Sequence, residues 1–108
     1  MYKTDFYITQ AAPKNSGKKY TFTRVSGWGE LLEAPGGELI EIRLDKRPEG
    51  WRISEEKTGL LISPQAFRTR TDAIKALRPE LLRRIAEQLK RPSTVDIMNA
   101  LADFIIQQ

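Results

Sequence analysis

The sequence predicts an α+β fold: an antiparallel, meander-like sheet of about five strands, then three short helices packed on one face of it. Two observations predict this. Apolar residues alternate with polar ones up to about residue 63, as strands require, and then recur at helical spacing. Gly- and Pro-rich turns punctuate the first half at short intervals. The chain of 108 residues, 40% apolar and 30% charged, fits a single domain spanning 1–108, with 1–63 mainly strands and 64–108 helical.

The first strand is read from Tyr2, Thr4, Phe6 and Ile8, which alternate with Lys3, Asp5 and Tyr7. Parity places Phe6 in the core and leaves Tyr7 on the exposed side. Ala11 to Lys19 is rich in Pro, Asn, Ser, Gly and Lys and reads as a loop. Tyr20 to Val25 is β-branched and aromatic, which predicts a second strand with Phe22 in the core. Glu30–Ala34 and Glu38–Ile42 then mirror each other around Pro35-Gly36-Gly37, the pattern of a hairpin. A short helix through Glu30–Glu33 is the competing reading.

Ile40, Ile42 and Leu44 share one face, with Glu41, Arg43 and Asp45 opposite. Turns at Arg47–Gly50 and Glu56–Gly59 divide the chain into strands near 38–45, 51–55 and 59–63, a meander. Trp51 has the parity of Ile53 and is expected to anchor the core.

Three helices follow. Thr69-x-x-Asp72 has the form of a capping box, and Ser63-Pro64 offers an earlier start. Ile74 and Leu77 face inward. Pro79 breaks or restarts the helix. Leu81, Leu82, Ile85, Ala86 and Leu89 line one side of a second helix that Pro92 ends. Ser93-x-x-Asp96 is read as the cap of the third.

Composition bounds the chemistry. The chain has no cysteine and no histidine. The usual metal ligands, thiol nucleophiles and neutral-pH proton shuttles are therefore missing. Glu55-Glu56 and Glu30/Glu33 point apart and make poor acid–base couples. These features predict a protein that is not an enzyme and that needs no cofactor or metal. Zero cysteine, no signal peptide and no membrane-length apolar run predict a cytoplasmic chain without membrane contact.

Net charge is +4, and it is unevenly spread. Residues 1–24 carry +4, 25–64 carry −3, 65–91 carry +5 and 92–108 carry −2. Eight of the eighteen basic residues lie between Arg68 and Arg91.

Two kinds of surface follow. Ile97, Met98, Leu101, Phe104 and Ile105 form an apolar stripe on the third helix. Val95, Ala102 and Ile106 widen it to an arc of about 200°. Together with Trp28, set between Gly27 and Gly29, this predicts a protein partner or a homodimer contact. The competing reading buries the helix centrally.

The alternative partner is nucleic acid. Lys14, Lys18 and Lys19 sit on the first loop, and Arg68, Arg70, Arg83, Arg84, Lys90 and Arg91 in the helical segment, as candidate phosphate contacts. Aromatic strands beside the lysines can stack bases. The loop is not a P-loop, because Lys18 is followed by Lys19 rather than Ser or Thr. Against this, Glu80 precedes Arg84 by four, and Glu87 precedes Arg91 by four, spacings that favour pairing within a solvated helix. The leading expectation is a small non-enzymatic binding protein acting through a protein partner or its own copy.

Overall fold

The computed structural model describes residues 1–108. It orders them as β1 (Tyr2–Ala11), β2 (Tyr20–Glu33), β3 (Leu39–Arg47), β4 (Gly50–Glu55), α1 (Arg70–Lys75), α2 (Pro79–Gln88) and α3 (Pro92–Gln107). The four strands form one antiparallel sheet in sequence order. Fold class and hairpin connectivity agree with the sequence pattern. The strand count is four rather than about five, and each difference has a local cause.

First, Tyr20–Val25 and Glu30–Ala34 belong largely to one strand. β2 runs through Gly27-Trp28-Gly29 without a break, pairing β1 over Tyr20–Gly29 and β3 over Trp28–Glu33. The glycines permit this by lacking a side chain. A Cβ on Gly27 would collide with the Leu44 carbonyl oxygen, and one on Gly29 would lie 2.5 Å from the Tyr2 ring. Second, residues 59–63 do not become a strand. Single bridges join Ser54 to Leu61 and Trp51 to Phe67, and Ser63-Pro64-Gln65 bulges between them. Pro64 has no N–H to give a ladder.

Cross-strand register puts Tyr7, Phe22, Trp28, Leu32, Ile40, Ile42, Leu44 and Ile53 on one face. There Ile40, Ile42, Leu44 and Ile53 pack with Ala73 and Leu77 and with Leu82, Ile85 and Ala86 of α2. Trp28 and Trp51 lie half-buried at the margin of this core. The sheet's two ends meet. The Thr9 N–H donates to the Gly59 carbonyl at 2.9 Å, and Thr9 Oγ1 donates to the Thr58 carbonyl at 2.6 Å.

Thr69 caps α1 by accepting from the Asp72 N–H at 3.0 Å, as its spacing predicts; Ser63-Pro64 starts no helix. Pro79 restarts the chain as the first residue of α2. Pro92 likewise opens α3, so Ser93 lies inside a helix of 16 residues rather than capping it. Proline suits a first helical position, where its missing N–H had no partner anyway.

Candidate functional site

α3 reaches the sheet through Phe104. Its ring meets Tyr7 edge-on at 5.5 Å and Phe22 at 5.0 Å. Tyr7 is therefore half-buried rather than exposed, because α3 covers its side of β1. Of the apolar stripe, Ile97 and Leu101 are buried, Met98 and Phe104 half-buried, and Ile105 exposed. The widened arc leaves Val95 and Ile106 in solvent, the latter 80% exposed.

Trp28 is half-buried. Its inner edge packs on the core, and the Arg70 guanidinium lies 4.0 Å from its ring centroid and 5.5 Å from that of Trp51. Such contacts hold the guanidinium against the two rings, and its Nη1 also donates to the Met1 sulfur at 3.7 Å. Nothing in the residue spacing announces this contact, since Arg70 lies far along the chain from Trp28.

The ion pairs divide the molecule. All four arginines of the sheet are paired: Arg24 with Asp5, Arg43 with Glu41, Arg47 with Asp45 and Arg52 with Glu49. The remaining pairs join the N-terminus to Glu30 and Lys90 to Glu38. Arg68, Arg70, Arg78, Arg83, Arg84 and Arg91 are in none of them. Glu80–Arg84 and Glu87–Arg91 stay open, although their spacing favours closure. On α2, Arg83 and Arg84 are exposed beside Glu80 and Glu87.

Electrostatics on the sheet follow these contacts. The Ser26 hydroxyl, donating at 2.6 Å, and then Arg24 hold the Asp5 carboxyl below its ordinary range. Burial pushes Glu41 up, but bonds from Arg43 and Tyr2 outweigh it and keep the carboxyl low. The same bond to Glu41, helped by burial, raises the Tyr2 phenol.

Lys14, Lys18 and Lys19 are exposed and unpaired. Lys18 and Lys19 border a hollow with Tyr20, Phe22, Asp96 and Ala100. Lys90, paired with Glu38, and Arg91 immediately precede α3, on whose second turn Asp96 lies. A cavity of about 250 Å³ lies between α2 and the turn after β4, with Glu55 and Arg84 in its wall. The Glu55 oxygens there are taken by Thr58 and by the Lys57 N–H.

Comparison with known proteins gives no match: no family model, curated protein or solved structure corresponds to this chain.

Proposed function

We propose that this protein is a non-catalytic binding module that engages the phosphate backbone of nucleic acid through the arginines of its helical half. One observation carries this reading: each sheet arginine has a carboxylate partner, and none of the six arginines from Arg68 to Arg91 does. Exposed guanidinium groups without partners repel one another and attract a polyanion. Phosphate contacts of this type position a duplex or a strand without reading its sequence. Lys14, Lys18 and Lys19 extend the charged surface beyond the start of α3.

Fluorescence anisotropy of labelled duplex and single-stranded oligonucleotides across a salt series tests this. Binding is expected to weaken steeply with salt. Arg83→Ala with Arg84→Ala is expected to lower affinity and flatten the slope by about 1.8, at about 0.9 per lost phosphate contact. Unchanged affinity would remove α2 from the site.

A second reading, a protein partner or a second copy docked on α3, is favoured by the exposure of Val95, Ile105 and Ile106. Met98, Ala102 and Ile105 line a groove there beside Lys57. Light scattering over a concentration range tests the homodimer form. A rising mass that Ile105→Ser with Ile106→Ser abolishes supports it, and a constant monomer mass rejects it.

A further inference from the structure

The hollow between the first hairpin and α3 has a volume of about 350 Å³ and is lined by Lys18, Lys19, Tyr20, Phe22, Asp96 and Ala100. Tyr20 and Phe22 are two residues apart on β2, so both rings point to the face that α3 covers. Phe104 backs Phe22 at 5.0 Å and fixes the inner end of this floor. Tyr20, further out, is half-buried.

The rim is preorganised. Ser16 Oγ donates to the Pro13 carbonyl at 2.7 Å and accepts from the Lys18 N–H at 3.3 Å, while Ala12 N–H donates to the Lys19 carbonyl at 3.0 Å. Both lysines are therefore carried on a hydrogen-bonded turn. Asp96 borders the same hollow, yet no ion pair joins it to Lys18 or Lys19. Opposite charges stay apart around an aromatic floor.

We propose that this hollow seats one nucleotide of a single-stranded nucleic acid, with its base stacked on Tyr20, its phosphate on Lys18 and Lys19, and its donor edge on Asp96. Each part answers a feature of the ligand. An aromatic face stacks any base, and a lysine turn tracks the backbone. A carboxylate accepts from N–H groups on a Watson–Crick edge. Guanine alone among the common bases offers two adjacent donors, N1–H and the N2 amino group, so guanine is the base assigned. A paired base is held in its stack, and a duplex therefore cannot fill the seat. DNA and RNA share this chemistry. The inference rests on the nucleic-acid reading above and adds to it the strand state and the base.

The test is anisotropy titration of labelled oligothymidine carrying one central guanine, its inosine counterpart, the matching RNA, and a duplex of the same length. The guanine strand is expected to bind about tenfold tighter than the inosine strand or the duplex. Tyr20→Ala is expected to cost about tenfold on the single strand and little on the duplex, within the range of one lost stacked base. Tyr20→Phe, which retains the ring, keeps wild-type binding. Asp96→Asn erases the guanine-over-inosine preference. Equal affinity for single strand and duplex, with Tyr20→Ala harmless, would overturn the seat and leave the arginine surface standing. Absence of binding to every oligonucleotide at low salt would overturn both. A DNA–RNA difference of any size identifies the natural strand, provided the Tyr20 and Asp96 effects appear in the tighter of the two.

Discussion

Gly27 and Gly29 bracket Trp28 because two neighbours need the room that a side chain would take. The Leu44 carbonyl and the Phe6 ring press on Gly27, and Tyr2 and Arg43 on Gly29. Gly27→Ala is expected to destabilise the fold by about 2–3 kcal/mol, the range for overpacking a core with a backbone atom in the way. Urea unfolding checks this, and a loss below about 0.5 kcal/mol would mean that β2 shifts freely at this point. The sequence signalled something unusual at Gly-Trp-Gly but not its meaning, since the crowding atoms come from β1 and β3. The Tyr2–Glu41–Arg43 cluster is a second case. The Glu41 carboxyl is lowered, so its contribution is complete above the unfolded value of about 4.3 and is lost as pH falls through the folded one. The Tyr2 phenol is raised, so its contribution is complete below about 10 and is lost as pH rises through the folded value. Melting temperatures of wild type minus Tyr2→Phe should therefore differ most between about pH 5 and 9 and converge at both extremes. No difference at any pH would leave packing of the ring, which phenylalanine retains, as its only role.

The turn after β4 joins the two ends of the sheet, and Glu55 holds it. This buried carboxylate accepts from Thr58 Oγ1 at 2.8 Å, Thr58 N–H at 2.9 Å and Lys57 N–H at 2.7 Å. Gly59 follows with φ at 68°, and a Cβ there would lie 2.6 Å from Thr9 Oγ1. Glu55→Ala is expected to cost about 2–3 kcal/mol, the scale of losing hydrogen bonds to a buried charge. Exchange of the Thr9 amide, which donates to Gly59, should accelerate more than exchange within β3. Equal acceleration at both would mean that the turn opens only with the whole domain. Elements with local causes were legible in the sequence: the 34–38 hairpin, the Thr69 cap, and the inward face of Ile40, Ile42 and Leu44. Elements decided at a distance were not. β2 continues through Trp28 because both neighbouring strands pair with it there. Residues 59–63 lack a ladder because their contacts go to β1 as well as β4. Proline carries a local signal with two readings, an end or a start, and Pro92 takes the second.

At the scale of the molecule, the charges of the sheet are settled internally and those of the helical half are not. The sequence disclosed the blocks of charge, but not which carboxylates each arginine meets, because cross-strand pairs depend on register. This division makes a prediction about salt. Neutral salt screens the mutual repulsion of exposed Arg78, Arg83, Arg84 and Arg91 over roughly a Debye length, about 8–10 Å near physiological strength. It also weakens the sheet pairs, but Arg47–Asp45 and Arg43–Glu41 have side chains that are mostly buried and are screened less. Relief of repulsion should therefore win. The melting temperature is expected to rise by a few degrees between about 20 and 300 mM sodium chloride. Replacing Arg83 and Arg84 with glutamine should remove much of that rise, because it takes away part of the repulsion that salt otherwise screens. A polyanion that contacts the same surface should stabilise wild type further, at concentrations too low to screen, because it binds the folded state alone. A melting temperature that falls with salt would show that the open arginines cost the fold nothing. The asymmetry would then reflect ordinary solvation of a surface helix, and the case for a phosphate-binding face would rest on the oligonucleotide titrations alone.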